Sequence, residues 1–122
     1  MISELKTEKT GFQAVYFSER FKCAFIKRNE NFSFGKVSKL KKHTETDEIF
    51  VLLKGNAVML TLEGEKFTET PLIASSAFNV SKNTWHYLAL SEDTEVFVVE
   101  NADTTAENSE VLLLDTPYEF NE

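Results

Sequence analysis

Residues 41–55, KKHTETDEIFVLLKG, decide how this chain folds. The stretch places His43 before a polar run of threonines and acids, follows it with the apolar segment EIFVLL (48–53), and closes at Gly55. Apolar and β-branched runs bounded by polar turn formers mark strands. Lys41 and His43 stand two residues apart, so on a strand their side chains share one face. Glu48 returns to that face after a short turn. The stretch therefore sets a histidine, an acid and a lysine on one surface.

The same pattern continues in both directions. Upstream, FQAVYF (12–17), FKCAFIKR (21–28) and NFSFGKV (31–37) read as strands, the second with Phe21, Cys23 and Phe25 on one face. Downstream come AVMLTLEG (57–64) with a turn at Glu63-Gly64-Glu65, then PLIA (71–74), AFNV (77–80), HYLAL (86–90) and EVFVV (95–99). A polar loop, NADTTAENSE (101–110), precedes VLLL (111–114), and the acidic end DTPYEFNE (115–122) is expected to be loosely ordered. Only ISELKTEK (2–9) has the composition for a helical turn or two. Many short strands with turn signals between them predict an all-β sandwich or barrel with little or no helix. EIFVLL and EVFVV are apolar on both faces. A one-sided strand would alternate, so their outer faces predict a second cover, which a homodimer would supply.

Composition narrows the function. The chain has 122 residues, enough for one domain, 1–122, with a barrel core at about 12–114. Eleven phenylalanines supply much of the burial. The net charge of −7 argues against nucleic acid and anionic membranes as partners, since both want a basic surface. No apolar run approaches the roughly 20 residues that span a bilayer. The single cysteine, Cys23, has no internal partner and sits in an alternating apolar strand, which predicts an inert buried thiol. With no apolar leader at the N-terminus, these features predict a cytoplasmic protein.

Spacing connects the opening stretch to a known pattern. From Gly35, five residues lead to Lys41, one more to His43, four more to Glu48 and six more to Gly55. This arrangement resembles the first motif of the cupin superfamily, in which the place of Lys41 is usually a second histidine. The second cupin motif is looser here. Ser75, Ser81, Asn83, His86 and Leu90 fall at its characteristic places, and only His86 matches. The resemblance covers roughly residues 32 to 100 and is strongest to the small single-domain cupins. It implies a double-stranded β-helix, the jelly-roll barrel, and a pocket where His43, Glu48 and His86 meet.

Two imidazoles and a carboxylate suit a divalent ion such as iron, manganese, nickel or zinc. Lys41 complicates this, because an ammonium has no lone pair to give. Two readings follow. In the first, the metal stays on His43, Glu48 and His86, Lys41 and Lys39 face the pocket and favour an anionic small molecule, and the protein is an enzyme acting on a small polar or carboxylate metabolite. Oxygenase, isomerase and lyase chemistry all remain open. In the second, there is no metal, Lys41 pairs with Glu48 or a ligand, and the chain is a small-ligand-binding or accessory protein without turnover. Trp85 and Tyr87 flank His86 and should point away from it, into core or interface. Glu45 and Asp47 read as solvated turn acids, with Asp47 able to shape the turn.

Overall fold

A computed structural model describes residues 1–120. Ten strands make up the described chain: β1 (Gly11–Phe17), β2 (Phe21–Lys27), β3 (Lys36–His43), β4 (Glu48–Lys54), β5 (Ala57–Glu63), β6 (Lys66–Pro71), β7 (Ala77–Val80), β8 (Trp85–Leu90), β9 (Glu95–Asn101) and β10 (Ser109–Glu119). Two single 3-10 turns, Glu30–Phe32 and Ala106–Asn108, are the only helical elements among the described residues. The strands form two five-stranded sheets, ordered β1-β2-β9-β4-β7 and β10-β3-β8-β5-β6, with every pair antiparallel.

Alternation along each strand decides what lies between the sheets. From the first sheet, Ala24, Ile26, Phe50, Leu52, Val96 and Val98 point inward, and Ala57, Met59, Leu88 and Leu90 meet them from the second. These ten side chains are at most 4% exposed, so each contributes close to its full burial, about 1.5–3 kcal/mol for a Val, Leu, Ile, Phe or Met. The outer face of the second sheet carries a separate cluster around Leu40 and Leu60, both fully buried. Trp85, Tyr87, Leu112, Tyr118 and Phe120 pack against it. Trp85 and Tyr87 thus point away from His86, as alternation requires.

The first sheet is different outside. Phe25, Ile49, Val51, Phe97 and Val99 lie on its outer face and are only half-buried. This is the two-sided apolarity that β4 and β9 show in sequence. Cys23 lies on the same side at 8% exposure, and burial pushes its thiol up.

Several boundaries depart from expectation. Residues 2–9 form no helix. They lack an apolar face, and so short a helix is marginal without one; the segment is tied instead by Lys27 Nζ donating to the Thr7 carbonyl at 2.7 Å. NFSFGKV is not one strand: Phe32 closes a 3-10 turn capped by the Asn29 side chain, and β3 begins at Lys36. PLIA is not a strand either. The strand is KFTETP, which pairs with β5 through the turn at Gly64 and ends at Pro71. The acidic end is partly ordered, since β10 continues to Glu119. A register jump between Leu113 and Tyr118 brings Tyr118 over Phe67, at 4.6 Å between rings, where its hydroxyl donates to Glu69. Residues 121 and 122 of that expected tail lie outside the described residues.

Candidate metal centre

At one end of the barrel the inward-facing residues change character on every strand. β3 ends in His43, β4 begins with Glu48, β8 brings His86, and β9 and β2 bring Glu100 and Lys22. Register fixes their proximity. Thr61 and Lys41 both pair with His86, and Lys22 pairs with Glu100. The turn between β3 and β4 is clamped by Asp47, which accepts from the Lys82 amide at 2.9 Å and the Asn79 side chain at 3.2 Å. These bonds hold the Asp47 carboxyl below its ordinary range.

His43 Nε2 and His86 Nε2 lie 3.1 and 3.2 Å from Glu48 Oε1. One ligand atom from each of the three residues falls within 4.8 Å of the others. Glu48 is 4% exposed. Burial pushes its carboxyl upward, but the two adjoining imidazoles outweigh this and hold it well below the usual carboxylate range.

The far side of each ring identifies its tautomer. His86 Nδ1 is 2.9 Å from the Thr84 carbonyl, which can only accept, so Nδ1 carries the proton. His43 Nδ1 is 2.7 Å from Ser109 Oγ. That hydroxyl donates its own hydrogen to the Thr105 carbonyl at 2.7 Å, so it too accepts from the ring. In the neutral form both rings therefore offer an Nε2 lone pair toward Glu48. Despite the short distances, Glu48 Oε1 has no hydrogen-bond partner, because neither Nε2 is aligned to donate to it. Two nitrogen lone pairs and a buried carboxylate oxygen converge with no proton aimed between them. A cation completes such an arrangement, and outer hydrogen bonds on Nδ1 are how metal-ligating histidines are held. The donor set fits one divalent ion.

Lys41 and Lys39 are both exposed, on the parity that the strand gives His43. Among the described residues the ion-pair partners of Glu48 are the two histidines, so the Lys41–Glu48 pair does not form. Lys36 and Lys42, the other members of the basic cluster, pair with Glu119 and Glu110, and Lys42 lies 4.6 Å over the Trp85 ring. A cavity of about 200 Å³ adjoins the centre through Thr61 and Thr84 and is also lined by Met59, Thr70 and Phe78.

The motif's glycine places explain its looseness. Gly35 and Gly55 have positive φ, and a Cβ at Gly55 would collide with Thr94. In the second motif Ser75 and Asn83 stand where glycine is usual, and both keep positive φ, 71° and 65°. The backbone path persists although the residues have changed.

Sequence reasoning missed Glu100, Lys22 and Ser109. Glu100 is 6% exposed. Burial, and then the Glu48 charge beside it, push its carboxyl up to about 7 against the Lys22 ammonium. Its signal was present: in EVFVVEN, Glu100 has the inward parity of Val96 and Val98.

No protein-family model and no curated protein matches the sequence. Solved structures do match its fold. A cupin-2 domain protein from Shewanella frigidimarina superposes with a TM-score of 0.60 at 14% identity, over 78% of this chain and 84% of that one. KdgF from Halomonas sp. gives 0.57 at 17% identity, over 82% and 88%. The QdtA 3,4-ketoisomerase from Thermoanaerobacterium thermosaccharolyticum, in complex with TDP, gives 0.61 at 11% identity, over 72% and 63%. The chain has the small cupin jelly-roll fold.

Proposed function

We propose that this protein is a metal-dependent cupin in which His43, Glu48 and His86 hold one divalent ion and act on a small polar or carboxylate metabolite. The observation that carries this is the buried, unpartnered Glu48 Oε1 facing two imidazoles whose protons lie on the far nitrogens. A divalent ion held there would act as a Lewis acid toward a substrate oxygen. The chain's own groups do the rest. Ser109 and the Thr84 carbonyl fix the rings. Lys41, exposed and cross-strand from His86, draws an anionic group toward the open side. The 200 Å³ cavity beside Thr61 accepts a small molecule. KdgF and the ketoisomerases show that enzymes use this fold, which is support for a reaction without choosing one.

The reading extends to a cytoplasmic homodimer whose copies meet on the outer face of the first sheet. The half-buried Phe25, Ile49, Val51, Phe97 and Val99 support it. No helix among the described residues is long and apolar enough to cross a membrane. Sedimentation equilibrium on the wild type and on Val51→Lys tests the dimer; a monomeric wild type contradicts it.

The second reading, a metal-free binding protein, is favoured by Lys41 at a ligand's place. Calorimetric titration of chelator-stripped protein with iron(II), manganese, nickel and zinc separates the two. One site per chain, lost in His86→Ala, supports the metal reading. Binding that appears only in Lys41→His means the natural site is disabled.

A further inference from the structure

We propose that Glu100 is a positioning residue for Glu48, holding that carboxylate from behind while Lys22 holds Glu100. The inference rests on the metal reading of His43, Glu48 and His86.

Three neighbouring strands of the first sheet place Lys22, Glu100 and Glu48 in one inward row. Lys22 and Glu100 are directly paired, and because Ile49 pairs with Val99, Glu100 comes next to Glu48 on the inner face. The Glu100 side chain is 4% exposed. Its Oε1 is 3.4 Å from Lys22 Nζ, and Lys22 is itself anchored by donating to the Thr104 carbonyl at 2.9 Å. Its Oε2 has no conventional partner. The group within hydrogen-bond reach beside it is the Glu48 carboxylate.

Two adjacent acids on neighbouring strands are destabilising by themselves. Valine occupies the same inward parity at 96 and 98, so the strand has an apolar solution that residue 100 does not take. Two carboxyl groups in contact hold together through a hydrogen between them. Glu100 supplies that donor to one side of Glu48 and leaves Oε1 directed at the imidazoles. An ion pair serving stability alone would satisfy Lys22 and Glu100 without leaving an oxygen against the ligand.

The test compares zinc affinity, by competition with a chromogenic chelator, and the denaturation midpoint of the stripped protein. Glu100→Gln keeps a donor and should bind zinc within about threefold of the wild type. Lys22→Met/Glu100→Met removes the donor without stranding a buried ammonium. It should bind about 10–100-fold more weakly, the usual cost of losing an outer partner of a ligand, with a midpoint no lower than that of Lys22→Met/Glu100→Gln. Glu100→Asp, which retains the acid for Lys22 but withdraws it from Glu48, should lose at least tenfold and covers the case in which the double variant does not fold. Wild-type affinity in Glu100→Asp or in the folded double Met variant overturns the inference while leaving the metal site intact. A wild type that binds no zinc overturns the metal reading and this inference with it.

Discussion

The two ends of the barrel interior are built by the same strands and have opposite chemistry. Along β2 the inward residues run Ile26, Ala24, Lys22; along β9, Val96, Val98, Glu100; along β4, Leu52, Phe50, Glu48; along β8, Leu90, Leu88, His86. One end is dry and closely packed. The other gathers two acids, two imidazoles and an ammonium at comparable depth. Burial of polar and charged groups costs stability unless they are matched. The polar end therefore cannot be explained by folding, which the apolar end already serves with the same pleat. What distinguishes the ends is a convergent set of lone pairs, and that is a property a ligand uses.

Substitutions should affect the two ends in different ways. The largest effect on stability is expected at the dry end: Leu90→Ala should lower unfolding free energy by about 2–5 kcal/mol, read by chemical denaturation, with metal affinity of the folded protein little changed. At the polar end, His86→Ala should weaken metal binding by at least the roughly 100-fold that outer-partner losses reach, while the stripped protein loses less stability than Leu90→Ala. Equal stability losses at both ends would remove the contrast.

A smaller effect is a pH slope in the stripped protein. Glu100 is raised to about 7 by burial and by Glu48. The folded state then holds a proton that the unfolded chain releases near the ordinary glutamate range. Stability from this group is present below that range and is lost as pH rises toward and through about 7. The decline should be on the order of 1–2 kcal/mol and absent in Glu100→Gln. Glu48 has the opposite sign: its lowered carboxyl contributes stability above the ordinary range that is lost as pH falls below it. The smallest effect is at Ser75, whose positive φ costs a non-glycine residue about 1 kcal/mol. Ser75→Gly should raise stability by up to that amount and leave metal binding unchanged.

Much of this contrast was legible in the sequence. The spacing from Gly35 to Gly55 carried the hairpin of β3 and β4, and parity alone put His43 and Glu48 together with His86. Edge strands were harder. KFTETP alternates polar with apolar weakly and reads as loop, and the DTPYE segment hides its role because Tyr118 becomes structural only where Phe67 and Glu69 meet it. Parity placed Lys41 and Lys39 on the face of the site, but their exposure depends on how the sheets splay, which no local pattern records. Glu100 escaped because a single acid ending an apolar strand looks like a boundary until the neighbouring strand puts Glu48 beside it.

The most direct measurement of the central claim is the metal content of untagged protein, purified without added metal, alongside its His86→Ala variant. One divalent ion per chain in the wild type, and none in the variant, is the predicted result. Absence of metal from the wild type, persisting after reconstitution with iron, manganese, nickel and zinc, would contradict it.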